Sequence, residues 1–285
     1  MDTVNNMSQA TTYPADNTTS STTGARLVFS NIRKSFSDTV SVEADSLIIE
    51  SGSLTVLLGR SGCGKTTLLN LAAGLDFPDQ GSVSYDNQIL QGPAPSTTLI
   101  FQTRNLFPWM TAEENVAFPL RNQGMAKTEA LEHARQYLKQ VGLESFAGHK
   151  PAQLSGGMRQ RIALARTIAT KPRLLLLDEP FSALDMQTRR MMQRYLLDVW
   201  KNSGVTILMI THDLHEALML ADRIALMASS PTGHIADILD IKLERPRDPE
   251  DPAFRTVQQQ LDRFLEHETL LAEHDPTLES ANQQA

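Results

Sequence analysis

Nearly continuous apolar runs alternate with periodic stretches along this chain, and the pattern reads as a layered α/β protein. Leu54–Leu58, Leu174–Leu177 and Val205–Ile210 are short and almost wholly apolar. Such runs mark central parallel strands covered on both faces, since neither face meets water. Ala25–Ile32 and Val40–Ile49 alternate roughly every second residue, as half-buried strands do. Gly81–Tyr85 and Thr97–Phe101 read as further strands, and Leu68–Gly74 as a helix stopped by Gly74. From Thr103 to about Arg166 the character is helical, with Ala130, Leu131, Ala134, Leu138 and Val141 on one face. Gln187–Asn202 lies between two of the buried runs, where a crossover helix of a βαβ unit belongs. Beyond about Glu244 the chain turns polar. Arg245–Pro252 reads as a loop and Phe254–Glu268 as an exposed helix before a frayed end.

The first residues are rich in Ser, Thr and Asn and carry few large apolar side chains. Burial there cannot offset the entropy of ordering, so residues 1–24 are expected to be a disordered tail. The folded domain is expected over 25–244, with a helical lobe at about 103–166. A polar, partly helical extension is expected over 245–285.

Composition narrows the function. Apolar residues make up 41% of the 285, enough for a sizeable core. The net charge of −7 argues against nucleic acid as a partner, because phosphate binding needs a basic face. No run approaches the ~18 apolar residues of a spanning helix, so the chain is expected to be soluble and to meet a membrane only through partners. The N-terminus lacks the basic and apolar stretches of a secretory signal. One cysteine, Cys63, excludes an intrachain disulfide and fits a reducing compartment.

Gly59, Arg60, Ser61, Gly62, Cys63, Gly64, Lys65 and Thr66 fit G-x-x-x-x-G-K-[ST] in full, followed by Thr67. The glycines let the backbone wrap closely around phosphate oxygens, and the next helix adds its positive end. Lys65 is expected at the β- and γ-phosphates of a nucleotide and Thr66 on Mg²⁺. The match sits where that mechanism needs it, between a buried strand and a helix. Cys63 reads either as a small loop residue whose thiol lies near the phosphates or, the favoured reading, as an inert filler.

Asp178 and Glu179 end a second buried run. The first carboxylate suits Mg²⁺, and the second suits orienting and deprotonating an attacking water. Alone, the pair is equally a solvated acidic turn. The Leu154–Met158 segment, LSGGM, offers another helix start open to an anion, with Ser155 as cap and Gly156 and Gly157 leaving the amides clear. One nucleotide needs one such cradle within a subunit, so a second makes sense if it closes over the nucleotide of another subunit.

With these motifs in hand the chain resembles the ABC ATPase family from about Ala25 to Glu244. The parts stand in family order: Gly59–Thr66, Gln102 at a strand end, LSGGM, LLLLDEP, SALD at Ser182–Asp185, and His212 in MITHD. Met158 departs from the commoner Gln of the signature, while the Ser155–Gly156–Gly157 core is intact.

The resemblance implies a P-loop fold of class α/β. It has a mostly parallel central sheet, an antiparallel β lobe and a helical signature-motif lobe. It implies ATP and Mg²⁺ as cofactors, Glu179, His212, Lys65 and Gln102 as catalytic residues, and Thr66, Gln102 and Asp178 at the metal. Asp185 resembles an aspartate that communicates across a dimer, and Phe36 stands where an aromatic stacks on adenine, a place more often held by Tyr. The implied assembly is a homodimer of ATPase subunits. It sits peripherally under two integral membrane permease subunits, at the cytoplasmic face of the cell membrane, and is served by a solute-binding protein.

Three further stretches resemble the importer branch for nitrate, sulfonates and taurine: the run Leu106–Leu120 (LFPWMTAEENVAFPL), the LSGGMRQR form of the signature, and RPRDP. Close relatives of that branch import bicarbonate, aromatic acids or pyrimidines. Exporters often carry a membrane span in the same chain. Apolar Phe107, Trp109 and Met110 either fill the helical lobe or line a groove for a permease helix. ABC proteins of translation and repair resemble two fused ATPase domains or one split by a long coiled coil, and neither pattern is present. A nucleotide kinase would have no use for LSGGM.

Overall fold

The computed structural model describes residues 24–36, 39–94, 96–100, 106–229 and 232–273, with side chains at 36, 39–41 and 269–273 left aside. Apart from Gly24, the expected N-terminal tail lies outside the described residues. The described chain forms one ten-stranded sheet and seven α-helices.

Strands β1 (Leu27–Phe36) and β2 (Thr39–Ile49) pair antiparallel. With β4 (Gln80–Tyr85) and β5 (Gln88–Ile89) they make the antiparallel part of the sheet. The other part centres on β3 (Leu54–Gly59), which pairs parallel with β8 (Thr206–Thr211) and β9 (Arg223–Ala228). Next to β8 run β7 (Leu174–Asp178) and β6 (Thr97–Ile100), also parallel. Strand β10 (Gly233–Asp240) joins the halves, antiparallel to β9 and briefly parallel to β2. Strands β3, β7 and β8 are buried at every position, as expected of runs covered on both faces. Neither β9 nor β10 carries a clear period, and the sheet alone discloses them.

Helix α1 (Lys65–Ala73) follows β3 and ends on left-handed Gly74. A helical lobe holds α2 (Ala112–Asn122), α3 (Lys127–Gln140) and α4 (Gly156–Ala169). In α3 the predicted face is the buried one: Ala130, Ala134 and Leu138 are sealed, with Val141 at the helix end, and Leu131 packs at the margin. Helix α5 (Met186–Ser203) crosses from β7 to parallel β8, burying Met192, Tyr195, Leu196 and Val199. Helix α6 (Leu214–Leu220) comes after β8.

The C-terminal segment departs from expectation. In place of an exposed helix, α7 (Pro252–Glu273) lies against α6 and buries Phe254 and Leu261 in the main core, with Val257, Phe264 and Leu265 packed beside them. The spacing of these residues is an amphipathic stripe, diluted by the polar residues on the other face. The RPRDP loop also has a structural task. Arg245 donates to the Leu220 carbonyl at 2.5 Å, pairs with Asp222 at 2.7 Å and lies 4.7 Å over the Trp200 ring. Buried Arg247 donates to the Leu218 carbonyl at 2.5 Å, and burial pushes its guanidinium down to about 10. Both arginines thus close the C-terminal carbonyls of α6, where cations are favoured.

Because Leu261 is fully enclosed, Leu261→Ala should lower unfolding free energy by about 2–5 kcal/mol, the usual cost of such a truncation. Urea unfolding of the full chain measures it. An unchanged midpoint would mean that α7 does not hold this position.

Candidate active site

Three parallel strands bring their C-terminal ends level. In the register, Asp178 of β7 stands beside Ile210 of β8, and Thr211 of β8 beside Leu58 of β3. The phosphate loop, the acidic pair and the histidine therefore leave the sheet at one edge, where ligands of open α/β sheets bind.

Gly59 packs so closely that a Cβ there would lie 2.6 Å from the Met227 carbonyl oxygen. Gly64 is left-handed, with φ 93°, and begins α1 without a side-chain cap. The first amides of α1 are thus not covered by a capping side chain. Lys65 is 7% exposed, and its ammonium donates to the carbonyls of Gly59 at 2.8 Å and Arg60 at 2.6 Å. Cys63 points into the core, and burial pushes its thiol up, which favours the inert reading.

Ser61, Gly62, Gly64, Lys65, Thr66, Thr67, Asp178, Glu179 and Ile210 line one cavity of about 330 Å³. Asp178 is nearly sealed, and its Oδ2 accepts from the Thr66 hydroxyl at 3.4 Å. Burial, and then the neighbouring Glu179 charge, push its carboxyl above the ordinary range. Glu179 has φ 46°, a left-handed conformation that costs a non-glycine residue roughly 1–3 kcal/mol and is found at functional sites. Its N–H donates to the Ile210 carbonyl at 3.1 Å, and its Oε1 lies 2.9 Å from His212 Nδ1.

Other expected residues stand apart from this cavity. Ser155 caps α4, accepting from the Met158 N–H at 3.2 Å. Asp185 caps α5, and the Thr188 N–H it accepts at 3.0 Å holds its carboxyl below the usual range. Ser155, Gly156, Gly157 and Asp185 do not line the cavity. Gln102 lies outside the described residues. Phe36 ends β1, and its side chain is likewise outside the described part of the chain.

Several positions that motif reading passes over hold the site. Arg189 donates to the Leu184 carbonyl at 3.3 Å and pairs with Asp213 at 3.2 Å, tying the SALD loop to the residue after His212. Gln160 bridges Glu179 and Ala183. Buried Asn115 donates to the carbonyls of Phe107, Met110 and Thr111 and accepts from the Phe107 N–H. It pins the loop that leaves Trp109 66% exposed while Phe107 packs against Phe118. Trp109 therefore does not fill the core of the helical lobe.

The oxygens of Thr66 and Asp178 suit Mg²⁺, which prefers few protein oxygens together with water and phosphate. No group of three or more His, Cys, Asp or Glu that could hold a metal is found among the described residues.

A family profile described as ABC transporter matches residues 42–182. The chain is similar to the nitrate import ATP-binding protein NrtD of Synechocystis, with 46% identity over 219 residues, 77% of this chain and 81% of that one. It is 47% identical over 193 residues to the taurine import ATP-binding protein TauB of Sinorhizobium fredii, 68% of this chain and 72% of that one. It is 41% identical over 246 residues to the bicarbonate transport ATP-binding protein CmpC of Synechococcus elongatus, covering 82% of this chain and only 37% of that longer one. Among solved structures it resembles the dimeric ATP-binding cassette MJ0796 in a post-hydrolysis state with ADP and Pi. The TM-score is 0.68 at 30% identity, over 76% of this chain and 100% of that one.

The raised Asp178 carboxyl gives a signed expectation. A carboxyl whose pKa is higher folded than unfolded favours the fold at low pH and disfavours it once pH passes the folded value. Without nucleotide, Asp178→Asn should therefore raise the melting temperature at neutral pH, with the gain shrinking toward about pH 4 where the unfolded carboxyl also protonates. Melting curves across pH measure this, and a lower melting temperature at neutral pH would contradict it.

Proposed function

The chain belongs to the ABC transporter family as an ATP-binding, ATP-hydrolysing subunit, and from that premise we propose that it powers an importer as one half of a homodimer. One observation carries the reading: Lys65, Thr66, Asp178 and Glu179 share a cavity that the signature helix start does not reach. An intact site then needs Ser155–Gly157 from a second copy, and the dimeric cassette it resembles supports that arrangement.

In this mechanism Gly62–Thr66 cradle the β- and γ-phosphates with backbone amides, and Lys65 exchanges its carbonyl partners for phosphate oxygens. Arg60, Ser61 and Thr67 flank the cradle, and Phe36 keeps, by resemblance alone, the role of the aromatic for the base. Thr66 and Asp178, with Gln102 by resemblance, would hold Mg²⁺, which would offset charge on the phosphate oxygens. Glu179 takes the proton of the attacking water at its carboxylate, steadied by His212. The partner's α4 start and Lys65 stabilise the charge on the transferred group. Asp185, beside the partner, reports closure. Hydrolysis and release reopen the dimer, and that two-state motion drives the permease.

No helix among the described residues is long and apolar enough to cross a membrane. In our reading two permease subunits supply the path, with this chain peripheral on the cytoplasmic side and a solute-binding protein delivering cargo. The exposed Trp109 loop is the docking face. Relatives named for nitrate import and taurine import support import as the direction. The nitrate, sulfonate and taurine class is the cargo we favour, with bicarbonate or a pyrimidine as the alternative.

Glu179→Gln should keep ATP binding, slow hydrolysis at least ~10²-fold and trap an ATP-bound dimer, as loss of a general base requires. Turnover assays with size-exclusion chromatography test both parts, and near-normal turnover would sink the assignment. For cargo, a deletion strain should fail to grow on taurine, alkanesulfonates or nitrate and recover with the intact gene but not with Lys65→Ala. Normal uptake of all three, with a defect on another solute, would overturn the cargo class alone.

A further inference from the structure

We propose that Gln160 is a positioning residue that links the two nucleotide sites of the dimer by holding Glu179. The inference rests on the proposed function, with Glu179 as base and the start of α4 over the partner's nucleotide.

Gln160 lies in the first turns of α4, just after the glycine pair, and is 6% exposed. A buried amide must find partners for both ends, and these are specific. Its Nε2 donates to the Glu179 carbonyl at 3.2 Å, and its Oε1 accepts from the Ala183 N–H at 3.2 Å. Both partners belong to the turn that carries the chain from β7 to α5. Ser182 closes the same turn, its hydroxyl donating to the Glu179 carbonyl at 3.1 Å.

Glu179 is the residue in this turn with a left-handed backbone. Such a conformation persists only when its surroundings over-determine it. Here the N–H is fixed to β8 through Ile210, and Gln160 fixes the carbonyl to α4. The peptide units on either side of the base are thus held by a rigid strand and by the helix that covers the other site. The start of α4 also touches this turn directly: a Cβ on Gly157 would lie 3.2 Å from Leu184 and 3.3 Å from the Ala183 carbonyl oxygen. When the α4 start receives a partner's phosphate, its shift is carried through one amide to Glu179 of its own chain. The amide thus fastens the base of one site to the helix that covers the other, whether or not that other site is filled.

Gln160→Met keeps the length of the side chain and removes both polar ends. In the purified full chain it should reduce kcat about tenfold, a fraction of what a general base supplies. ATP affinity, ATP-driven dimerisation and melting temperature should stay close to wild type. Gln160→Glu keeps the acceptor for Ala183 and loses the donor to Glu179, so it should show the same kcat loss. Gln160→His, with a donor and an acceptor, should recover part of the rate.

Mixed dimers locate the effect. Lys65→Ala and Ser155→Arg chains together leave one intact site, whose Glu179 lies on the Ser155→Arg chain. Adding Gln160→Met to that chain should slow the site about tenfold, and adding it to the Lys65→Ala chain should change it less than about twofold. Equal losses from either chain, or full kcat in both the Met and Glu variants, would overturn the proposal. No recovery in the unmodified mixture, with mixed dimers shown to form, would count against the composite site itself. The kcat, affinity and melting data on the Gln160 variants would still decide whether that residue positions Glu179.

Discussion

The shared register of β3, β8 and β7 is the constraint on which the rest depends. These strands are sealed on both faces and leave the sheet at one level, so the segments at their C-terminal ends meet one another. Lys65 and Thr66 come after the first, His212 after the second, and Asp178 and Glu179 end the third. A slip of one residue in any of them would turn its side chains to the opposite face of the sheet and carry the functional one out of reach.

The site is built from local features that work against stability. Gly64 starts a helix without a cap, Asp178 is a carboxyl held in a dry place, and Glu179 keeps a left-handed backbone. Asp178→Asn or Glu179→Gly would relieve the last two, whereas Gly64 must stay glycine at φ 93°; the three suit, in turn, an anionic ligand, a cation and a fixed carboxylate. The surrounding polar contacts are correspondingly specific. Gln160 and Ser182 hold the Glu179 carbonyl, Arg189 ties the SALD loop to Asp213, and Arg245 and Arg247 close the far end of α6. Helix α6 begins just after His212. The C-terminal arginines and α7 therefore reach the site through the helix they brace, although they lie far from it in sequence.

The sequence by itself determined the buried strands, the helix faces and the identity of the chemical groups. Apolar runs and periodicity report burial directly, and a phosphate loop needs particular residues at particular spacings. Ala130, Ala134 and Leu138 were legible because a helix repeats its buried face. Lys65, Thr66, Asp178 and Glu179 were legible because their spacing relative to strand ends carries the mechanism. Family order gave His212, Gln102 and Ser155 their roles, which no local pattern could supply.

Tertiary structure alone decided the order of strands, the burial of α7 and the partners of Gln160, Arg189, Asn115, Arg245 and Arg247. Strand order depends on which edges pair across long separations, and β9 and β10 have no strong period to announce them. Helix α7 read as exposed because polar residues outnumber its apolar stripe, and only the surface of α6 makes that stripe worth burying. A polar residue in a sequence looks the same whether water or a distant carbonyl satisfies it. Gln160 stands within a recognised motif, yet its task is set by the Glu179 carbonyl and the Ala183 N–H, which the fold brings to it from the next strand and turn.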